Sequence, residues 1–251
     1  MANNAFSGAQ YLSKGFGLIK QPGIRAFVFI PLVINFILLS FATIYAFTQI
    51  DNWLESLKNS ESSWIQWTVE NLAWLIWPIV IITVLVVILF IFAFLANWIA
   101  APFNGLLSEA VEKHLSGENY HDTTFSWRRF FADIPRLLSR EWRKLAYYLP
   151  RAIGCLVLFL LTFWSPFVFI ATAVWFIFNA WMAAIQYVDY PMDNHKVPFS
   201  EVIDQLKQRR GGSMGFGAMV MLLTMIPVVN IVVMPAAVAG ATNLWFDHIK
   251  E

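Results

Sequence analysis

The chain has 251 residues, of which 59% are apolar, 17% aromatic and 13% charged, with a net charge of +1. A charged fraction about half that of a soluble domain excludes an ordinary water-soluble globule and points to a single membrane domain, 1–251. One cysteine, Cys155, excludes an intrachain disulfide and a cysteine metal cluster; the net charge of +1 says nothing about a partner, and no nucleic-acid partner is expected.

Met1–Lys20 holds polar Asn3, Asn4, Ser7, Gln10 and Lys14 and lacks the continuous apolar core of a cleavable signal peptide. Gln21-Pro22-Gly23-Ile24-Arg25-Ala26 comes next, immediately before the first apolar run. Pro22 and Gly23 end whatever precedes. The following helix start then offers unpaired N–H groups at the positive end of its dipole, with Arg25 as a forked, permanently charged donor. Those are the parts of a tetrahedral oxyanion site, while a lone interfacial arginine obeying the positive-inside rule explains the same residues.

Ala26–Ile50 is free of charge and long enough to cross a bilayer once, with the span expected at about 26–48. Asp51–Glu70 is polar and acidic. Asn71–Ser108 is again uncharged, with a second span expected at about 75–100 and Trp64, Trp67, Trp74 and Trp77 as its aromatic belt. Pro102 and Gly105 are expected to kink that helix and Gly117 to close it. A helix from Asn71 to His114 would be roughly 65 Å long, more than a bilayer needs, so its end should project into water. That end carries Asn104, Ser108 and Glu109, which serve either as pore-lining groups or as a solvated face in which Glu109 pairs with Lys113.

The region from about 109 to 150 is basic. In Phe125–Tyr148, arginines alternate with aromatic residues around Pro135, which is expected to divide the segment into two short amphipathic helices near lipid headgroups. Two uncharged segments follow, at about 152–188 and 213–246, broken by Pro166 in the first and by Pro227 and Pro235 in the second. An arm of about 12 residues reaches about 18 Å against a core of about 30 Å, so arm length favours helical hairpins that enter the membrane and return, while the uncharged tips leave the charge counts equally compatible with six full crossings. The fold class expected is an all-α integral membrane protein with two long transmembrane helices and two proline-interrupted, hemi-penetrating hairpins.

Ala236–Ala241 gives the last arm a surface of small residues, suited to close helix approach. Asn35, Asn97, Asn179, Gln186, Asn230 and Asn243 are amides in apolar surroundings, which either hydrogen-bond between helices or line a path for a hydrated anion. The polar knot Gln186–Lys196 matches no metal spacing and is expected to be a hydrogen-bonded turn around Pro191. The glycines at 211, 212, 215 and 217 lack the Lys-Ser or Lys-Thr of a phosphate loop, so no cofactor and no primary pump are expected. No catalytic spacing and no metal site can be read.

Lys and Arg number three in residues 1–25, one in 51–70, eight in 109–151 and four in 189–210. The positive-inside rule puts both termini, 109–151 and 189–210 in the cytoplasm and 51–70 outside.

QPGIRAFVFIPLVIN, ANWIAAPFNGLLSE, REWRKLAYYLPRAI, NAWMAAIQYVDYPMDNHKVPF and FGAMVMLLTMIPVVNIVVMPAAVAGAT, in that order, resemble the CysZ sulfate-permease family of bacterial inner membranes, with similarity from about Ser13 to Asp247. The resemblance implies a homo-oligomer built on dimers in the inner membrane, in contact with lipid, taking up sulfate for cysteine biosynthesis. It maps the sulfate-binding loop onto Gly23, Ile24, Arg25 and Ala26, where the family pattern has a second arginine in place of Ala26. Asn35, Asn104, Ser108, Glu109 and Asn243 are the candidate pore-lining residues. The competing classes are a membrane scaffold docking through 125–148 and a lipid-acting membrane enzyme using the Asp189–His195 knot.

Overall fold

The computed structural model describes residues 4–58, 62–117 and 127–248. The described residues are helical and contain no strand: α1 (Ala5–Leu18), α2 (Arg25–Lys58), α3 (Ser63–Ser116), α4 (Trp127–Thr162), α5 (Val168–Asn194), α6 (Phe199–Gln208), α7 (Arg210–Thr224) and α8 (Pro227–His248). Four segments are long and apolar enough to cross a membrane: Arg25–Leu57, Pro135–Thr162, Val168–Asn194 and Val229–His248. Two compact units result, Phe29–Ala100 and the remainder, Met1–Val28 with Ala101–Glu251.

The smaller unit holds most of α2 and α3. Phe36, Phe41, Ile44, Ile79, Ile82 and Phe90 lie exposed there, a surface that lipid satisfies and water does not. Of the four tryptophans expected to form a belt, Trp64, Trp67 and Trp74 are exposed and Trp77 is half-buried. α3 runs unbroken through Pro102 and Gly105 and stops at Gly117, whose φ of +72° is the left-handed geometry of a helix stop.

In the larger unit α1 packs on α7 and α8, and α7 packs on α5. Glycine permits this. A methyl group at Gly8 would overlap the Gly212 carbonyl, one at Gly15 the Ala236 carbonyl, and one at Gly217 the Ala180 carbonyl. Backbones this close are the close packing that small residues permit in membranes, and the small-residue face of α8 meets α1 as expected. α1 itself was not legible as a helix. Its buried residues are Gly8, Tyr11, Leu12 and Gly15, and the glycines carry no apolar signal.

Three expectations about proline are corrected. Pro135 lies inside α4, so the basic region, whose first residues fall outside the described ones, is one long helix and not two short ones. Pro191 lies inside α5, so no turn forms there. Pro235 lies inside α8, which runs on from Pro227 at its first position, where a missing N–H is harmless. Interior prolines are tolerated where neighbouring helices supply the packing, and Ala236 against Gly15 gives Pro235 such a neighbour.

Both hairpins exist as helix pairs, turning at Phe163–Phe167 around Pro166 and at Met225–Ile226. The arms are longer than expected. The uncharged end of α4 continues a 36-residue helix, and α5 has 27 residues, about 40 Å. Length alone therefore no longer separates dipping from crossing for the first hairpin. α7, at 15 residues, reaches about 22 Å.

Candidate functional site

The loop between α1 and α2 is a tight turn. The Gln21 carbonyl accepts from the Ile24 N–H and the Arg25 N–H, each at 3.2 Å, with Pro22 and Gly23 at the corner. Gly23 has φ +86°, which a type II turn requires at this position and which glycine adopts without strain. The Ile24 side chain is fully buried and anchors the turn, while Arg25 and Ala26 are exposed at the start of α2.

This geometry revises the expected donor set. Of the N–H groups from Gly23 to Phe27, those of Ile24 and Arg25 are taken by Gln21, and Phe27 donates to the Ile24 carbonyl at 3.0 Å. Among the described residues the Gly23 and Ala26 N–H groups have no backbone acceptor, and Arg25 has no ion pair. An anion here would meet two backbone donors, the positive end of α2 and one guanidinium.

The other candidates separate by what their side chains already do. Asn104 donates to the Tyr190 hydroxyl at 3.1 Å. Ser108 is fully buried, 2.9 Å from the Thr242 hydroxyl. Thr242 gives its hydrogen to the Val238 carbonyl, so Ser108 is the donor. Glu109 pairs with Lys113 at 2.8 Å as a partly exposed i,i+4 couple. Asn35 and Asn243 differ: their buried side-chain oxygens have no hydrogen-bond partner, an arrangement that is costly unless another group visits. Asn35 belongs to the smaller unit, and the rest of these residues to the larger.

Asn104, Ser108 and Glu112 stand at i, i+4 and i+8 and form one polar seam along the C-terminal end of α3. Glu112 meets the His195 ring at 2.8 Å, and that ring lies 4.7 Å from the Trp245 ring. Asn194 donates to the Gly105 carbonyl at 2.9 Å. Asn179 and Gln186, expected either to bond between helices or to line a path, bond within α5 to the Trp175 carbonyl and the Tyr190 hydroxyl. The side chain of Asn97 lies outside the described residues, and the Asn230 side chain is exposed.

The knot on α5 is an ion network. Arg140 grips the Asp189 carboxylate with Nε and Nη2 and donates through Nη1 to the Val197 carbonyl at 2.6 Å. Lys144 reaches Asp189 at 2.9 Å and Glu141 at 2.7 Å, and Arg136 pairs with Asp193. Arg140, Lys144, Asp189 and Asp193 are all buried. Basic residues expected to face headgroups therefore turn inward at 136, 140 and 144, while Arg128 and Arg143 remain exposed. The spacing was the available signal: cations at i, i+4, i+8 on α4 match acids at i, i+4 on α5. Near the end of α8, burial and the Asp247 carboxylate hold the Tyr11 phenol up at about 12.

A family model described as "Sulfate transporter CysZ/Etoposide-induced protein 2.4" matches residues 11–235. Proteins named "Sulfate transporter CysZ" from Salmonella enteritidis PT4, Salmonella typhi and Salmonella typhimurium are each 48% identical to this chain over 241 residues. The matches cover 96% of this chain and 92% of each relative.

Proposed function

The chain belongs to the sulfate transporter CysZ family, and from that premise we propose that it is a permease carrying sulfate across the bacterial inner membrane for cysteine biosynthesis. The observation that carries this is the 48% identity, sustained over 96% of the chain, to proteins named sulfate transporters. The four helices long and apolar enough to cross a membrane support it.

Sulfate is a dianion and has no neutral form to slip through lipid. Moving even one charge into hydrocarbon costs on the order of tens of kcal/mol. A protein path must therefore supply donors in place of water. The turn at Gly23–Ala26 gathers the ion with the N–H groups of Gly23 and Ala26 and the Arg25 guanidinium, while Ile24 holds the turn to the core. Asn104, Ser108 and Glu109 already have protein partners, and the unfilled amide oxygens of Asn35 and of Asn243 are acceptors that suit the water around an ion and not the anion itself. The α4–α5 and α7–α8 hairpins dip into the bilayer, and subunits assembled on dimers enclose the conduit. Irregular backbone at membrane depth is tolerated only in such surroundings.

Both termini face the cytoplasm in this reading, which follows from the lysine and arginine counts. Inward movement of a dianion opposes an inside-negative potential by about 2.3 kcal/mol per charge per 100 mV, doubled for two charges. Rapid consumption of internal sulfate or a coupled ion must offset it. The protein acts by transport and not as an enzyme: the knot on α5 that a lipid-acting enzyme would use is filled by its own arginine and lysine. Expression in a bacterium stripped of its own sulfate uptake tests the proposal. Growth on sulfate as the sole sulfur source is expected, and growth only on cysteine would overturn it.

A further inference from the structure

The Gly23–Ala26 turn is the end of α1 as much as the start of α2. The Ile19 N–H donates to the Gly15 carbonyl at 3.1 Å, Lys20 to Gly17 at 3.3 Å and Gln21 to Leu18 at 3.0 Å. Hydrogen bonds thus run from α1 into Gln21, the residue whose carbonyl closes the turn. Ile19 and Ile24 are both buried, and the turn falls with α1 in the larger unit, Met1–Val28 with Ala101–Glu251. Where α1 lies on its neighbours therefore fixes where the turn presents its donors.

The close packing under α1 excludes volume but forms no directional bond: Gly15 rests on Ala236, and Gly240 on the Tyr11 backbone. Among the described residues, every side-chain hydrogen bond or ion pair from α1 to another helix starts at Tyr11 or Lys14 and ends on the last two residues of α8. Tyr11 Oη donates to Asp247 Oδ2 at 3.0 Å and lies 2.8 Å from His248 Nε2. A phenol has one proton, so with that proton on Asp247 the imidazole N–H is the donor to Tyr11. Lys14 Nζ stands 3.6 Å from the same carboxylate, but its side chain is half-exposed, whereas Tyr11 is buried.

We propose that Tyr11 is a positioning residue for sulfate capture, its hydroxyl fixing α1 along α8 and so fixing the Gly23–Ala26 turn. The inference rests on the reading of that turn as the sulfate site. Tyr11 and Gln21 are ten residues apart, about 15 Å along a helix, so Tyr11 acts through the backbone and not by touching the ion. Hydrogen bonds weaken steeply as their angles close, so a small rotation of α1 is felt at the turn.

The test is binding of labelled sulfate to the detergent-purified full chain by equilibrium dialysis. Tyr11→Phe keeps the ring and removes only the hydroxyl. Its Kd is expected to rise about fivefold, the lower end for coupling between separate sites, with the number of sites unchanged. Asp247→Ala removes the other end of the same bond and should match it. Asp189→Asn, which loosens the fold between α4 and α5, should bind as the unmodified protein does. An unchanged Kd in Tyr11→Phe beside a weakened Arg25→Ala would overturn the proposal and leave the turn as the site. An equal rise in Asp189→Asn would overturn it too, since lost stability would then be the cause. An unchanged Kd in Arg25→Ala would remove the turn itself, and this proposal with it.

Discussion

Replacing Asp189 by asparagine keeps the side chain's size and removes one buried charge. Asp189 is 1% exposed and accepts from Arg140 Nε, Arg140 Nη2 and Lys144 Nζ. Removing one member of a buried ion pair costs about 3–5 kcal/mol, because the partner stays desolvated without its counter-charge. Here both cations keep something: Arg140 still has Asp193 at 3.2 Å and the Val197 carbonyl, and Lys144 still has Glu141. The lower end, about 3 kcal/mol, is therefore expected. For a chain of this size that corresponds to a fall in Tm of about 6–12 °C. Thermal unfolding of the detergent-purified protein, followed by tryptophan fluorescence, reads it directly. Glu109→Gln is the control: its pair with Lys113 is partly exposed and should contribute less than about 0.5 kcal/mol. If Asp189→Asn melted with the unmodified protein, the α4–α5 network would not hold the fold.

Glycine packing gives a second contrast. Gly15→Ala drives a methyl into the Ala236 carbonyl and should cost about 1–3 kcal/mol or more, whereas Gly17→Ala meets open space and should gain up to about 1 kcal/mol; paired melting curves check both. The dipping of the first hairpin is tested by Ser165→Cys in a Cys155→Ser background. An impermeant thiol reagent added outside intact cells is expected to leave it unlabelled, and labelling would mean that α4 and α5 cross.

The sequence was readable where a residue's own chemistry sets the structure. Gly117 stops α3 because it adopts positive φ, Pro166 marks the first hairpin's turn, and the small residues from Ala236 to Ala241 meet a neighbouring helix. It was not readable where the outcome depends on a distant segment. Pro135, Pro191 and Pro235 each interrupt a local pattern, yet each sits inside a helix that packing completes. Arg136, Arg140 and Lys144 look like interfacial cations until Asp189 and Asp193 face them from α5. At the candidate site Pro22–Gly23 announced the turn, but the two N–H groups captured by the Gln21 carbonyl depend on turn geometry that composition does not specify.

Uptake of labelled sulfate into vesicles containing only the purified protein is the most direct measurement, with the unmodified chain and Arg25→Ala run side by side. Internal sulfate should rise well above that of protein-free vesicles, and Arg25→Ala should require a markedly higher sulfate concentration to reach the same flux. Vesicles that stay at the protein-free level would contradict the permease, and full uptake at unchanged sulfate dependence in Arg25→Ala would remove the Gly23–Ala26 turn from its mechanism.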